Sequence, residues 1–234
     1  TVYEIVTELK KKHPKVLFEA CASGGGRIDY GILGIFDDFW TSDNTDACDR
    51  LYIQDAYSRI YPIKAMRAWV TDCPNFLSQR VIPLTFRYHS AMMGSLGVGC
   101  NILKFTPEET ELSQKMIRQY KEIRPIVQQG DLYRLISPYD KTGYASLMYV
   151  APEKDRAVWF VYKLEHFLNM PSPAFRMAGL DPGKRYRITE LNVDGKPVPQ
   201  DGKTFSGAFL MENGLEFTVG KEYASRVLEL KAVE

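Results

Sequence analysis

The sequence is poor in the residues that build metal centres and disulfide frameworks. Its 234 residues include four cysteines and three histidines. The cysteines lie far apart without CxxC spacing, which argues against a zinc ribbon and favours reduced, buried thiols: Cys21, Cys48, Cys73 and Cys100. The histidines are equally scattered, at His13, His89 and His166. We therefore predict no metal site, no histidine-based triad and no cofactor.

Charge of one sign and long apolar runs are also lacking. The formal net charge is +1, which favours neither nucleic acid nor an anionic membrane surface as a partner. No apolar run approaches the roughly 18 residues that span a bilayer, and no signal peptide is visible. We expect no nucleic-acid or membrane partner and a cytoplasmic location. Because Val2 already belongs to a helical pattern, we also expect the chain to be a piece of a longer protein.

The first half of the chain alternates strand and helix patterns. Strands are predicted at residues 16–21, 39–41, 65–70 and 96–102, and helices at 2–13, 47–61, 84–93 and 107–125. The last helix begins with a capping box formed by Thr106 and Glu109. Such alternation is typical of parallel βα units, in an open sheet or part of a (β/α) barrel. Small or polar residues follow the strands, at the end where both architectures place their chemistry: Ser23, Asp43, Asp72 and Asn101.

After about Pro138 the pattern changes to short β-rich runs with turn signals between them. Strands are predicted at residues 146–150, 157–164, 185–191, 215–219 and 226–231, and turns at 181–183, 194–195 and 213–214. This succession predicts an antiparallel β-sandwich of about 90 residues. Trp69 and Trp159 lie within strand patterns, so we expect both to be core residues.

The most unusual segment is residues 21–50, CASGGGRIDYGILGIFDDFWTSDNTDACDR. It satisfies neither the dinucleotide fingerprint nor the P-loop, and Cys48 occupies a position that a calcium loop reserves for glycine. Asp46 and Asp49 are best explained as acids in the first turn of a helix.

Asp43 is harder to explain by helix capping, because it precedes the helix body by three residues. It ends a strand behind Trp40, where a sugar could stack on an aromatic face. Asp43 is therefore a candidate general acid in a cleft. For Cys21, a structural thiol and a contact to substrate both remain open.

Five segments of the chain occur together in one known enzyme family. They are FEACASGGGR, WTSDNTDACDRLYIQ, RVIPLTFRYH, LGVGCNI and YKEIRPIVQQGDLYRL. On these segments the chain resembles glycoside hydrolase family 36, the bacterial and fungal α-galactosidases. The resemblance implies an α/β fold, with residues 1–138 as the C-terminal half of a (β/α)8 TIM barrel, about strands five to eight. Residues 139–234 would then form a C-terminal antiparallel β-sandwich domain.

The resemblance also implies a reaction, the retaining hydrolysis of terminal α-D-galactosyl groups from oligosaccharides such as melibiose and raffinose. Such chemistry needs two carboxyl groups about 5–5.5 Å apart. The SD[DN]TDA motif makes Asp43 the general acid/base. The CxSGGGR motif places Cys21 and Gly24 in the galactose pocket, where glycines would let the sugar approach the backbone, and Trp40 is a further substrate-binding residue. The full-length enzyme would be a homo-oligomer.

The sequence departs from the family in two ways. The family's nucleophile lies in a K-W-D-x-N motif that this chain does not contain, so we expect this chain alone to be inactive. Asp37-Asp38 replaces the usual PQ and residues 73–80 replace VPNHQTGR, both expected near loops of the aglycone subsites. Two other functions remain open, an α-N-acetylgalactosaminidase and a non-catalytic carbohydrate-binding remnant.

Overall fold

The chain forms a parallel sheet in its first half and an antiparallel sheet in its second half. The computed structural model describes residues 1–165, 171–193 and 195–233; His166 and the turn signal at Asp194 lie outside them. The helices are α1 (Val2–Lys12), α2 (Tyr30–Leu33), α3 (Asp49–Ser58), α4 (Leu84–Met92), α5 (Pro107–Gln129) and α6 (Gly207–Glu212). The strands are β1 (Glu19–Ala20), β2 (Asp38–Trp40), β3 (Met66–Val70), β4 (Ser95–Val98), β5 (Asp131–Ile136), β6 (Tyr144–Val150), β7 (Arg156–Lys163), β8 (Arg185–Leu191), β9 (Thr204–Ser206) and β10 (Ser225–Val233).

The parallel sheet has two chemically different faces. Its strand order is β1-β2-β3-β4, and each neighbouring pair is parallel. Because side chains alternate across a strand, β3 buries Met66, Ala68 and Val70 completely or nearly so on the face covered by helices. The opposite face carries Arg67 and Trp69, which remain partly exposed. The second face is therefore the one that presents polar and aromatic side chains.

The antiparallel sheet has six strands in the order β5-β6-β7-β10-β8-β9. Its central strand β7 is buried along both faces, which explains the continuous apolar run AVWFVY in its sequence. One face packs against α4 and α5, in a core that is continuous with the first half of the chain. On the other face Trp159 lies against Phe175 and Phe217, with ring centroids 5.8 and 5.6 Å apart.

Two buried tyrosines fasten the antiparallel sheet to the end of α4. The hydroxyl of Tyr149 donates to Met93 O at 2.6 Å, and that of Tyr162 donates to His89 O at 2.8 Å. Both side chains are at most 1 % exposed. Since each hydroxyl donates a hydrogen bond, both tyrosines are buried with their own polar atoms paired.

The structure confirms several expectations from the sequence. The capping box of Thr106 and Glu109 is present, with Pro107 in the first turn of α5. Trp159 is completely buried. A parallel sheet followed by an antiparallel one also agrees with the predicted α/β arrangement.

Other expectations were wrong in their bounds. Helix α5 continues through Pro125 to Gln129, because Ile126 and Val127 extend its buried face. The first strand is shorter than predicted, and Leu17 is 74 % exposed. Residues 215–219 form no strand; Leu215 makes only an isolated bridge to Phe175. The predicted division at residue 138 falls after β5, which already belongs to the antiparallel sheet, and it stays a prediction.

Tyr162→Phe tests how much the junction contributes to stability. We expect the free energy of unfolding to fall by about 1–2 kcal/mol, because the substitution leaves a buried carbonyl without its donor. Urea denaturation measures this change. Tyr30→Phe is the matched control: Tyr30 also donates to a carbonyl, Ile60 O, but is 72 % exposed. Equal losses in the two variants would contradict a special role for the junction.

Candidate active site

The ends of the parallel strands bring the predicted polar residues to one edge of the sheet. Cys21 directly follows β1, Asp43 lies three residues after β2, and Asp72 lies two residues after β3. Hydrogen bonds join neighbouring loops at this edge: Asn101 N donates to Asp72 Oδ1 at 3.3 Å, and Thr71 Oγ1 donates to Thr45 O at 3.3 Å. The edge is therefore a connected surface with carboxylates at neighbouring strand ends.

Asp43 is an exposed carboxylate held by a tryptophan. The indole Nε1 of Trp40 donates to Asp43 Oδ1 at 2.8 Å. The ring of Trp40 packs against that of Trp69, with centroids 5.5 Å apart and planes at 59°. Trp40 thus fixes the carboxylate with its N–H while its ring belongs to an aromatic pair. Its predicted stacking on a sugar stays a prediction.

Trp69 belongs to this surface, although the sequence pattern predicted a core residue. It is partly exposed, and its ring lies against the backbone of β4 and the residue after it. A Cβ at Gly97 or at Gly99 would come within 2.9 Å of Trp69 Cε3, so only glycine leaves room for the ring. In the sequence, Gly97 and Gly99 alternate along the strand that follows the one carrying Trp69. This spacing was the signal that could have revealed the arrangement.

The glycine-rich loop after β1 packs directly against the segment that carries Asp43. Gly24 is buried with φ +74°, and a Cβ there would lie 2.9 Å from Asp43 N. A Cβ at Gly25 would lie 2.5 Å from Thr41 O. These contacts explain both glycines by the close approach of two protein segments. A role of Gly24 in contacting a sugar stays a prediction.

The cysteines are free, and their burial differs from the expectation. Only Cys48 is buried; Cys21 and Cys73 are exposed and Cys100 is intermediate. Burial raises the pKa of the Cys48 thiol to about 12, so it is protonated and unreactive at neutral pH. Cys21 lies at the same edge of the sheet as Asp43, but no contact joins the two side chains in the described structure.

A buried carboxylate organises the start of α3. Asp46 is completely buried, and its Oδ1 accepts hydrogen bonds from Cys48 N at 2.9 Å and Asp49 N at 3.0 Å. Asp49 is in the first turn of α3 as predicted, whereas Asp46 lies two residues before the N-cap, Cys48, and accepts these hydrogen bonds from outside the helix. Its Oδ1 also contacts Arg80 Nη1 at 2.8 Å, and Ser78 donates to its other oxygen.

Arg80 joins the loop of residues 73–80 to α3. Its Nη1 reaches Asp49 Oδ1 at 2.5 Å as well as Asp46. In the same loop, the amide of Asn75 donates to Thr45 Oγ1 at 3.3 Å. Residues 73–80 and Asp37-Asp38 are the two segments that differ from the family's motifs. The first of them, this loop, packs against the segment after Asp43.

Asp37 and Asp38 lie elsewhere, which corrects the expectation that they border the aglycone subsites. They stand at the beginning of β2, at the end of the strand opposite to Asp43. Asp37 pairs with Lys10 at 2.8 Å, and Asp38 pairs with Arg67 at 2.6 Å. Burial raises the pKa of Asp38 above its usual value despite this pairing. Both acids therefore serve contacts at the far end of the sheet.

The described residues give no sign of a metal site. No group of three His, Cys, Asp or Glu side chains among them is placed to hold an ion. Within the same part of the chain, no helix is both long and apolar enough to cross a bilayer.

The Asp46 cluster predicts how stability depends on pH. Burial alone would raise the pKa of Asp46, but hydrogen bonds from Ser78 and Asp49 N and the charge of Arg80 lower it below its ordinary 3.8. A lowered pKa in the folded state stabilises the protein above the pKa of the unfolded state, and this contribution is lost as the pH falls through the folded value. We expect Asp46→Asn to cost about 2–4 kcal/mol at pH 7.

Denaturation of the parent and of Asp46→Asn, at pH values from 7 down to below 3.8, measures this difference. The difference in free energy of unfolding between the two proteins should become smaller toward the lowest pH. Asp49→Asn is the control, because Asp49 is partly exposed and its loss should cost less. A gap that does not change with pH would show that the ionised Asp46 carboxylate is not the stabilising form.

Two families of known sequences match the chain. Residues 1–130 match the melibiase family, and residues 144–230 match the glycosyl hydrolase family 36 C-terminal domain. Among curated proteins, the chain is 39 % identical over 230 residues to alpha-galactosidase C of Emericella nidulans. It is 36 % identical over 233 residues to alpha-galactosidase AgaA of Geobacillus stearothermophilus. These alignments cover 98 % and 100 % of the chain but only 29 % and 30 % of the two relatives.

Solved structures give the same picture. The galactosidase domain of the alpha-galactosidase-sucrose kinase AgaSK superposes with a TM-score of 0.91 at 32 % identity, over 99 % of this chain and 31 % of that one. A double variant of AgaA of Geobacillus stearothermophilus, solved in complex with raffinose, superposes with a TM-score of 0.90 at 34 % identity and the same coverage. These neighbours confirm the predicted fold class, the C-terminal half of a (β/α)8 barrel followed by an antiparallel β-sandwich. The melibiase match alone spans more than half of the residues of this chain. The chain therefore belongs to the melibiases of glycosyl hydrolase family 36.

Proposed function

We propose that the chain is part of a retaining α-galactosidase that removes terminal α-D-galactosyl groups from oligosaccharides such as melibiose and raffinose. The observation that carries the proposal is the position of Asp43. It is an exposed carboxylate after a parallel strand, fixed by Trp40, in a chain 36–39 % identical to α-galactosidases. The raffinose complex of AgaA supports the choice of substrate.

Asp43 is assigned the role of general acid/base. In the first step the nucleophile's carboxylate attacks the anomeric carbon while the proton of Asp43 passes to the glycosidic oxygen, so that the glycosidic bond breaks and a covalent galactosyl-enzyme forms. In the second step the Asp43 carboxylate takes a proton from water as that water attacks the anomeric carbon, which releases galactose and frees the nucleophile. Trp40 Nε1 donates to Oδ1 of Asp43, so we assign the proton exchange to the other oxygen, Oδ2.

The other acids at the strand ends are less suited to this work. Asp46 is buried, and both Asp46 and Asp49 bind Arg80, so both carboxylates are engaged within the protein. Asp72 stands at a neighbouring strand end and accepts a hydrogen bond from Asn101 N. The nucleophile is therefore assigned to the K-W-D-x-N motif of the longer protein, which this chain does not contain.

Asp43→Asn tests the assignment in a protein that carries this chain together with the K-W-D-x-N motif. We expect raffinose hydrolysis to slow by about 10²–10⁴-fold, because the amide cannot deliver a proton. Azide should partly restore turnover of a nitrophenyl α-galactoside, since a small anion attacks the covalent intermediate without needing a general base. Initial rates with and without azide measure both effects.

Asp72→Asn is the matched control, because it removes a carboxylate from the adjacent strand end. It should retain activity within about tenfold of the parent. Wild-type rates in Asp43→Asn would remove Asp43 from the mechanism. Faster cleavage of an α-N-acetylgalactosaminide than of the galactoside in the parent protein would instead identify the alternative specificity.

Residues 1–234 by themselves are expected to be inactive, because Asp43 can perform only one of the two carboxylate roles. Release of nitrophenol from an α-galactoside at high protein concentration tests this expectation. The chain and its Asp43→Asn variant should give the same background rate. Turnover above that control, lost again in Asp72→Asn, would show that Asp72 supplies the nucleophile.

A further inference from the structure

The orientation of the Asp43 carboxylate depends on one neighbouring side chain. The buried guanidinium of Arg50 donates to Ser42 O at 3.2 Å, which holds the backbone just before Asp43. Asp43 itself is exposed, and among the described residues only Trp40 donates a hydrogen bond to its carboxylate. The backbone is therefore fixed by other contacts, while the direction of the carboxylate depends on where the indole of Trp40 lies.

The position of the Trp40 ring depends in turn on Trp69. Trp40 lies opposite Arg67 in the register of β2 and β3, so Trp69, two residues further along β3, is its diagonal neighbour on the same face of the sheet. Large side chains at diagonal positions can reach each other, and here the ring centroids are 5.5 Å apart. A displacement of the Trp69 ring would therefore let the Trp40 ring move, together with the N–H that binds Asp43.

Packing against a glycine holds the Trp69 ring. Its Nε1 is buried and has no hydrogen-bond partner among the described residues, so no such bond fixes the indole there. Gly97 is the cross-strand partner of Trp69, and a Cβ at Gly97 would lie 2.9 Å from Cε3 and 3.0 Å from Cδ2 of the ring. The backbone of Gly97 is not in the left-handed region, so what this glycine provides is space for the indole.

We propose that Trp69 is a positioning residue for proton transfer by Asp43. Seated on Gly97, the ring of Trp69 keeps Trp40 in place, and the N–H of Trp40 keeps the carboxylate in one orientation. An acid that is held loosely loses rate even when it is present, because a proton is transferred only over hydrogen-bond distance. Trp69 exchanges no proton itself, and the proposal rests on the role of Asp43 as general acid/base.

Trp69→Phe tests the proposal in the protein that carries this chain together with the K-W-D-x-N motif. Phenylalanine keeps an aromatic ring on the sheet but shortens its reach toward Trp40. We expect kcat/KM for phenyl α-galactoside to fall by about 10–100-fold, because a misplaced acid protonates a poor leaving group slowly. For dinitrophenyl α-galactoside the fall should be less than about threefold, since that leaving group departs without a proton. Initial rates with the two substrates measure the difference.

The same substitution in the Asp43→Asn background separates positioning from other roles of Trp69. Residues that act as a unit are not additive, so Trp69→Phe should change the residual kcat/KM of Asp43→Asn by less than about twofold. A fall in this background as large as that in the parent would overturn the proposal. It would show that Trp69 binds the sugar or supports the fold independently of Asp43.

Gly97→Ala displaces the same ring without altering any tryptophan. The added methyl group occupies space that Trp69 fills, so kcat/KM for phenyl α-galactoside should fall by at least about threefold, and more than for the dinitrophenyl substrate. Gly34→Ala is the matched control, because Gly34 is exposed and a Cβ there would meet only Gly31 O, at 3.6 Å. It should keep the rates of the parent with both substrates.

Melting temperatures near that of the parent show that each variant is folded, and Gly97→Ala carries the test if Trp69→Phe unfolds. Parent rates for phenyl α-galactoside in every folded variant of Trp69 and Gly97 would overturn the proposal, as would equal losses with the two substrates. Parent rates in Asp43→Asn itself would be a different failure, because they would remove the acid/base role on which the proposal rests.

Discussion

The candidate site depends on one buried carboxylate. Asp46 is completely buried, and it survives there because backbone N–H groups, a serine hydroxyl and Arg80 all bind it. Through these bonds it starts α3 and also ties down the loop of residues 73–80. The segment that carries Asp43 therefore lies between two elements fixed by the same side chain. Trp40 then orients the Asp43 carboxylate within this segment.

Local signals in the sequence predicted much of the fold. The start of α5 was predicted from Thr106, Pro107 and Glu109, whose capping interactions act within one helical turn. The structure shows that start. The end of the same helix could not be predicted this way. Pro125 should stop a helix, but tertiary burial of Ile126 and Val127 outweighs that preference. The strand predicted at residues 215–219 was wrong for a related reason. These residues pack against the sheet without joining its hydrogen-bond ladder.

The candidate site shows the same division. Asp43 was predicted because its place after a strand and its motif are both visible in the sequence, and its catalytic role stays a prediction. The hydrogen bond from Trp40 and the pairing of Trp40 with Trp69 depend on how neighbouring strands align. A local sequence pattern does not predict that alignment. The glycines illustrate a further limit. A glycine-rich motif signals close approach to the backbone, but only the structure shows that Thr41 and Asp43 are what approach.

The strand order of the antiparallel sheet also has a consequence for synthesis on the ribosome. Strand β10 comes last among the described strands, yet it lies between β7 and β8 and pairs with both. Until residues 225–233 have emerged, β7 has an open edge and the two parts of the sheet cannot join. Such an unpaired apolar edge is a hazard for aggregation. We therefore expect a nascent chain of this protein to need either a chaperone or rapid synthesis of residues 225–233. Gradual folding from its first strand would leave the edge of β7 open.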